Sequence, residues 1–277
     1  MIRIGILLGD GSNTESIKLI RQFNDFKVTG IVLDTDKQDT KNQEYTIEDL
    51  VSKSDATYIN TCNPSFELIQ MGIKQSNHLF LKQVPKLTLS ETKQLISLVN
   101  EAGSIVQLFN PYVFLTENLK IQGHLKNPKF INIRLPLLTQ NTESQLLDLL
   151  LFLSVTEKNE VKRIDVFAFE GEKKSSLLNI RIVFSTGSIA QIHLGEMFKS
   201  DQSLLEIFQM DEKYISLPSQ PNNKEILQTE QNAFNQFTKA IQHKPCISVS
   251  FNELEQTIYI LDEIREKLKY SECSLLA

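Results

Sequence analysis

In "GILLGDGSNTES", residues 5–16, an apolar run passes into two glycines and a group of small polar side chains. The run extends back to Ile2, which predicts a buried β-strand at the start of the chain. Ser12, Asn13 or Thr14 can cap a helix that carries the next apolar residues. A strand, a glycine turn and a helix are therefore predicted in succession.

The same alternation continues to about residue 115. Further strands are predicted at residues 27–34, 56–62, 78–84 and 104–110. Between them, Thr46 with Asp49 and Thr88 with Glu91 have capping-box spacing, and Gly103 suits the left-handed residue that ends a helix. Strands that alternate with helices pair in parallel, so residues 1–118 are predicted to form a Rossmann-like domain with a doubly wound parallel sheet.

After about residue 120 the pattern is dominated by strands. They are predicted at residues 130–137, 161–169, 177–184 and 188–198, with one strong apolar helix at 143–155. The turn "STG", residues 185–187, predicts that the strands on either side of it are antiparallel. Residues 119–277 are thus predicted to form an α+β domain with a large, mostly antiparallel sheet. A polar stretch at 217–223 is the predicted linker to helices near 224–243 and 251–270.

One face of this second sheet is predicted to be open. Alternation places a set of isoleucines and a valine toward the core: Ile131, Ile133, Ile164, Val166, Ile180 and Ile182. The opposite face, called the open face below, carries mainly polar residues: Asn132, Arg134, Asp165, Asn179, Arg181, Gln191 and His193. Phe167 and Phe169 lie among them. An exposed face with large aromatic residues is typical of a symmetric contact, so a homo-oligomer through the open face is expected.

Composition excludes several classes of protein. A formal net charge of −5 with scattered lysines leaves no basic surface for nucleic acid. Apolar runs fall short of the roughly 20 residues that cross a bilayer, and the first run is too short for a signal-peptide core. The cysteines and histidines lack the spacing of a disulfide framework or a metal site, so no metal is expected and the compartment is predicted to be the cytoplasm.

The glycine turn has the position of a phosphate-binding loop. A dinucleotide pyrophosphate binds where a first strand passes into a helix, because glycine lets the backbone approach the anion. Gly9 and Gly11 supply two of three expected glycines, whereas Thr14 stands at the third and Asp10 adds a negative charge. Asp34 follows at the end of the second strand, where a carboxylate binds ribose hydroxyls and repels a 2′-phosphate. This favours NAD(H) over NADP(H); the alternatives are an ordinary turn and no cofactor.

Over nearly its whole length the chain resembles the Gfo/Idh/MocA family, named after glucose-fructose oxidoreductase and inositol dehydrogenase. The segments that carry the resemblance keep the family's order and spacing: "MIRIGILLGDG", "INTCNPSFELIQMGIKQSNHLFLKQVP", "SIVQLFNPYVF", "SQLLDLLLFL" and "NIRIVFSTGSIAQI". The resemblance implies hydride transfer between a nicotinamide and a sugar or polyol. It also implies a set of cofactor contacts: Gly9, Gly11, Ser12, Asn13, Thr14, Asp34, Thr61, Cys62, Asn63 and Gln83.

The catalytic motif of that family is altered in this sequence. Val84 stands where the resemblance implies the lysine of the E-K-P motif. The family's helix carries an Asp, then a His, then a second Asp. If Asp148 is aligned with that second Asp, Asn141 replaces the first Asp and Gln145 replaces the His. Amide side chains bind a polyol but exchange no proton near neutral pH. Loss of acid–base help typically costs a factor of about 10² to 10⁴ in rate.

Three other residues are weaker catalytic candidates. They are Lys82, Tyr112 and His193, and each also fits a structural or surface role. A strand residue two positions before another lies about 6 to 7 Å from it, so Lys82 does not simply replace the family's lysine. Two functions stay open: an NAD(P)-dependent oxidoreductase for a sugar or polyol, and a catalytically inactive nucleotide- or sugar-binding regulator on the same fold. A third possibility is a vestigial cleft with function on the open face.

Overall fold

The structure is a computed structural model that describes residues 1–9, 15–34, 46–138, 141–170, 176–210, 212–216 and 223–269. The chain divides into two compact units. The first unit is Met1–Asn110 with Leu227–Glu255, and the second is Pro111–Ile226 with Gln256–Ala277.

The first unit is built on a five-stranded parallel sheet. Its strands are β1 (Ile2–Gly9), β2 (Phe26–Asp34), β3 (Ala56–Asn60), β4 (His78–Leu81) and β5 (Val106–Leu108), in the order β2-β1-β3-β4-β5. The helices between successive strands are α1 (Glu15–Arg21), α2 (Ile47–Ser52), α3 (Phe66–Lys74) and α4 (Leu89–Ala102). The predicted Rossmann-like architecture is confirmed, since parallel neighbours need such crossovers.

Local sequence signals set the ends of two of these helices. The Thr46 hydroxyl accepts a hydrogen bond from the Asp49 N–H, and the carboxylate of Asp49 accepts one from the Thr46 N–H. Thr88 and Glu91 form the same capping box on α4. Gly103 ends α4 with φ = 64°, a left-handed conformation that glycine adopts without a steric penalty. All three predicted signals are confirmed.

The second unit contains a six-stranded sheet. Its strands are β6 (Phe130–Pro136), β7 (Val161–Glu170), β8 (Ser176–Phe184), β9 (Ile189–Gly195), β10 (Leu204–Phe208) and β11 (Lys213–Ser216), in the order β11-β10-β6-β9-β8-β7. Neighbours are antiparallel except for β6 and β9. Gly187, with φ = 83°, lies in the turn that joins β8 to β9. The predicted mostly antiparallel sheet is confirmed.

The core of the second unit lies on one face of that sheet. The predicted inward isoleucines are buried, and Val166 is half-buried. Helix α5 (Thr116–Gln122) precedes β6, and α6 (Thr142–Thr156) contributes a nearly continuous run of buried residues after Asp148. Phe167 and Phe169 are exposed on the edge strand β7. The alternation of burial therefore matches the open face inferred from the sequence.

The C-terminal helices divide between the two units. They are α7 (Asn223–Ile241) and α8 (Phe251–Lys269). Phe234 of α7 lies 4.9 Å, centroid to centroid, from both Phe23 and Phe26, and Phe237 lies 5.6 Å from Phe80. Because α7 packs its aromatic residues into the first unit, the units differ from the predicted division at residues 118 and 119, which gave both helices to the second domain.

None of the helices in the described part of the chain has both the length and the apolar character needed to cross a membrane.

Candidate functional site

The carboxyl edge of the parallel sheet has the topology of a ligand site. From β1 the chain passes to β2 on one side, whereas β3 lies on the other side. Ligands of open α/β sheets bind outside the carboxyl ends of the strands at such a reversal. The register pairs Gly9 with Asp34, and Leu8 with Asn60, the residue before Thr61. The ends of three strands thus bring Gly9, Asp34 and Thr61 to one edge.

Gly9 and Thr61 are in close contact at this edge. A Cβ on Gly9 would lie 3.1 Å from the Cα of Thr61, so a larger residue would have to displace backbone. Thr61 is 6% exposed, and its Oγ1 has no hydrogen-bond partner among the described residues. A buried hydroxyl without a partner carries a desolvation cost of about 1 to 3 kcal/mol, which a bound ligand would relieve. These residues fit a nucleotide that approaches β1 and β3.

The other predicted cofactor contacts have varied surroundings. Gly11, Ser12, Asn13 and Thr14 lie outside the described residues, as does the side chain of Asp34, so their roles stay predictions. Cys62 and Gln83 are exposed beside this edge. The carboxamide oxygen of Asn63 accepts a hydrogen bond of 3.0 Å from the Lys86 N–H, which ties the loop after β3 to the loop after β4.

Lys82 belongs to a buried network within the first unit. Its ammonium lies 2.6 Å from the carboxylate of Glu230 on α7 and 3.9 Å from the ring centroid of Phe109. The Tyr58 hydroxyl donates a second 2.6 Å hydrogen bond to Glu230. Burial lowers the pKa of Lys82, and the charge of Glu230 partly opposes that shift. Glu230 therefore fixes the Lys82 ammonium in place. The two residues are 148 positions apart in the chain, so the sequence alone does not reveal the pair.

The polar residues at the start of α6 differ in what they contact. Gln145 is buried; its oxygen accepts from the Leu138 N–H at 3.1 Å, and its Nε2 donates to the Pro136 carbonyl at 2.8 Å. Asn141 is exposed at the N-cap and makes no side-chain capping bond. Gln145 thus links α6 to the end of β6, and both ends of its amide serve to hold these two elements together.

Asp148 and Tyr112 form a pair of titratable groups in the second unit. Burial raises the pKa of the Asp148 carboxyl from 3.8 to about 7, although the residue keeps part of its surface accessible. Burial also raises the pKa of Tyr112, and the nearby charge of Asp148 adds to that shift. The position of Asp148 just before a run of leucines was the signal that the carboxyl would be surrounded by apolar atoms.

His193 belongs to the open face. Its neighbours on β9, Ile192 and Leu194, are fully buried, so His193 points to the opposite side of the sheet. Its Nδ1 lies 3.2 Å from the Nδ2 of Asn179 on the adjacent strand. Partial burial and the charge of Arg134 lower the pKa of His193. The structure thus places His193 among the polar cross-strand pairs of the open face.

A small cavity of about 180 Å³ lies beside α5 in the second unit. Its lining is mixed, with polar and charged residues against apolar ones: Glu117, Asn118, Ile121, Leu205, Ile207, Lys213 and Tyr214. Asn118 is fully buried, and its Nδ2 donates a 2.6 Å hydrogen bond to the Tyr112 carbonyl. Its Oδ1 has no hydrogen-bond partner within the described ranges. Within those ranges no group of three or more His, Cys, Asp or Glu residues could hold a metal.

Comparison of sequences finds neither a matching family model nor a similar curated protein. Comparison of structures does find similar chains. The dehydrogenase MviM from Clostridium difficile has a TM-score of 0.70 at 13% identity, over 96% of this chain and 99% of that one. UDP-N-acetylglucosamine 3-dehydrogenase GnnA from Acidithiobacillus ferrooxidans has a TM-score of 0.73 at 11% identity, over 98% of both chains. The chain has the fold of the Gfo/Idh/MocA-type dehydrogenases.

The same fold occurs in proteins with different substrates. Biliverdin reductase from Synechocystis, solved with biliverdin and NADP⁺, has a TM-score of 0.64 at 13% identity, over 96% of this chain and 98% of that one. Because identities near 12% establish the fold alone, the chemistry of this Gfo/Idh/MocA-like chain has to be argued from its own residues. Val84, half-buried after β4, offers no ionisable group where the family resemblance implies a lysine.

Proposed function

We propose that this chain is a nicotinamide-dependent oxidoreductase that acts on a sugar or polyol. The observation that carries the proposal is the hydroxyl of Thr61. It is buried without a hydrogen-bond partner among the described residues, and the Cα and Cβ of the same residue lie against Gly9 where the strand order reverses. Bound nicotinamide would supply the acceptor or donor of a hydride.

The chain's own residues would hold the cofactor in distinct ways. Gly9 lets the ligand approach the backbone of β1, and Thr61, the residue after β3, offers one hydrogen bond. Asp34 ends β2 in register with Gly9, and a carboxylate there favours ribose hydroxyls and repels a 2′-phosphate. We therefore propose NAD(H) rather than NADP(H). The predicted turn with Gly11, Ser12, Asn13 and Thr14 would complete the contacts, and Cys62, Asn63 and Gln83 border them.

The substrate class follows from the family resemblance. Sugars and polyols present hydroxyl groups, which polar side chains can bind. The similar UDP-N-acetylglucosamine 3-dehydrogenase from Acidithiobacillus ferrooxidans supports a sugar as the substrate. The biliverdin reductase shows that the fold also occurs in enzymes for another class of substrate. The exposed thiols of Cys62 and Cys246 support a reducing compartment, and we propose that the protein acts in the cytoplasm.

A second copy of this chain is the partner that we propose for the open face. Phe167 and Phe169 are about two-thirds exposed on an edge strand. Asp165 and Arg181 are opposite each other on neighbouring strands of the same face. In a two-fold contact the open face of one copy packs against the open face of the other. The exposed rings and the charged residues of the two copies can then contact each other.

Direct titration tests the cofactor site. NAD⁺, NADH, NADP⁺ and NADPH are added to the purified protein, with nicotinamide fluorescence and thermal stability as readouts. We expect tighter binding of NAD(H) than of NADP(H). The variant Thr61→Val keeps the shape but removes the hydroxyl, so we expect affinity to fall about three- to tenfold, while the free energy of unfolding stays equal or rises.

Thr57→Val is the matched control, on the strand that Thr61 follows. The Thr57 hydroxyl donates to Asn77 at 2.9 Å in the core, so its loss should lower stability by about 1 kcal/mol and leave nucleotide affinity unchanged. Absence of binding by all four nucleotides, or equal affinity of Thr61→Val and wild type, would refute the proposed site. Binding without turnover of any sugar or polyol would instead support a catalytically inactive regulator.

A further inference from the structure

The cavity beside α5 has the size of a site for one small organic molecule. Its lining residues come from α5, β10 and β11, which all belong to the second unit, and none of them is a proposed cofactor contact. Its volume is about 180 Å³. Because an apolar cavity of about 150 Å³ is large enough to bind benzene, this one accommodates a six-membered ring with a short substituent.

Part of the lining is apolar. Leu205 and Ile207 are buried on the core side of β10, and Ile121 of α5 is half-buried. Small-molecule sites typically combine such apolar walls with a few polar groups that fix the orientation of the ligand. The apolar part therefore favours a ligand with a compact hydrocarbon body.

Asn118 gives the cavity an unused hydrogen-bond acceptor. The residue is fully buried, and its Nδ2 donates a 2.6 Å hydrogen bond to the Tyr112 carbonyl, which fixes the orientation of the amide. Its Oδ1 has no hydrogen-bond partner in the part of the chain that the structure describes. A buried acceptor without a donor is unfavourable, so a ligand that donates a hydrogen bond to Oδ1 gains affinity from it.

The charged groups of the lining favour a donor that is positively charged. The Lys213 ammonium lies 2.9 Å from the carboxylate of Glu206, and the Tyr214 hydroxyl donates to Glu212, so both of these donors already have acceptors. The carboxylate of Glu117 makes no ion pair within the described ranges. The groups that remain available to a ligand are thus acceptors, and one of them is an anion.

We propose that this cavity binds a small organic cation, a primary ammonium group on a compact apolar body. The ammonium, which has three N–H donors, would donate to the Asn118 Oδ1 and to the Glu117 carboxylate. The body would contact Leu205 and Ile207, where it is removed from water. The inference is independent of the proposed function, because no residue of the nicotinamide site takes part.

The first test compares three probes that share one ring and differ in charge. Benzylamine, benzyl alcohol and benzoate are titrated into the full chain at pH 7, with binding followed by NMR. We expect the Kd of benzylamine to be at least tenfold lower than that of benzyl alcohol, because hydrogen bonds to charged partners are the stronger ones, and no binding of benzoate. Equal affinity for the three probes, or no binding of benzylamine at millimolar concentration, would overturn the inference.

The second test locates the bound amine with variants. Glu117→Gln should raise the Kd of benzylamine about tenfold, and Ile121→Phe should abolish binding because the added ring occupies the cavity. Neither variant removes the hydrogen bond of Asn118. Asn118→Leu should also abolish binding, and the first two variants decide the matter if it does not fold.

Glu101→Gln is the matched control. It removes the same charge from an exposed residue in the last turn of α4, and the Kd of benzylamine should stay within twofold of wild type. Wild-type affinity in both Glu117→Gln and Ile121→Phe would place the amine elsewhere and refute the site. Binding of benzylamine by a protein that binds no nicotinamide nucleotide would refute the proposed function and leave this inference intact.

Discussion

Gly9 lies so close to Thr61 that a Cβ on the glycine would be 3.1 Å from the Thr61 Cα and 3.4 Å from its Cβ. The neighbour is backbone and cannot rotate away, so β1 and β3 would have to separate. For Gly9→Ala we expect the free energy of unfolding, measured with urea, to fall by about 1 to 2 kcal/mol. NAD(H) affinity should fall with it, because the same contact shapes the edge of the sheet.

Gly123→Ala is the control for this change. A Cβ on Gly123 meets nothing within 4 Å, and the residue ends α5 with a right-handed φ of −70°. We expect its unfolding free energy to stay within about 0.5 kcal/mol of wild type. Equal losses of unfolding free energy from the two substitutions would show that the contact with Thr61 does not limit the size of the side chain at position 9.

The ion pair of Lys82 and Glu230 predicts a large loss of stability when one partner changes. Their side chains are 13% and 3% exposed, so Glu230→Gln leaves an ammonium with little solvent. We expect the unfolding free energy to fall by about 3 kcal/mol. Lys82→Met combined with Glu230→Gln should cost less than the sum of the single changes, because the double variant leaves no unpaired charge.

Glu255→Gln provides the comparison. It breaks the pair with Lys93, in which the ammonium and carboxylate atoms are 3.7 Å apart and the side chains are 60% and 36% exposed. Such pairs contribute about 0.5 kcal/mol or less. A similar loss from Glu230→Gln would mean that water reaches Lys82 freely.

Local signals explain why most of the fold could be predicted. The capping box of Thr88 and Glu91 and the left-handed Gly103 act within a few residues, and the turn at Gly187 sets the pairing of β8 with β9. The packing of α7 could not be inferred in the same way. Its apolar stripe indicates a helix with one buried face, but Phe23 and Phe26, whose rings Phe234 contacts, are about two hundred residues distant in the chain.

The candidate site was predictable where backbone position decides the contact. Gly9, Asp34 and Thr61 follow from the ends of parallel strands, which meet at one edge. The chemistry of Asp148 depends instead on how much apolar surface surrounds one carboxyl, a property of packing rather than of spacing. For the same reason the sequence shows Lys82 as a candidate but does not show Glu230 beside it.

Stability should depend on pH through Asp148. The folded pKa of about 7 lies above the value of 3.8 for an exposed carboxyl, so the folded state holds its proton more tightly than the unfolded state. The stabilisation is complete below pH 4 and is lost as the pH rises to 7, by at most about 4 kcal/mol. We expect Asp148→Asn to remove this slope and to be more stable than wild type at pH 8. Urea titrations at pH 5 and pH 8 measure it.

Glu143→Gln is the matched variant for the pH series. The Glu143 carboxylate is on the surface, where it pairs with Arg265 at 2.8 Å. Its replacement should therefore leave the change in unfolding free energy between pH 5 and pH 8 as it is in wild type. A wild-type protein equally stable at both pH values would contradict a buried, protonated Asp148.

The open face predicts self-association that depends on Phe167 and Phe169. Both rings are exposed, so replacing them with serine should leave the free energy of unfolding within about 0.5 kcal/mol of wild type. If two copies meet through this face, wild type should have a dimer mass by light scattering at micromolar concentration, and the double serine variant should be a monomer. Met210→Ser, at an exposed residue after β10, should remain dimeric. A monomeric wild type, or a dimer that survives the loss of both rings, would contradict a contact through the open face. Phe167 and Phe169 are the large apolar side chains that β7 exposes, and such side chains exclude water from an interface.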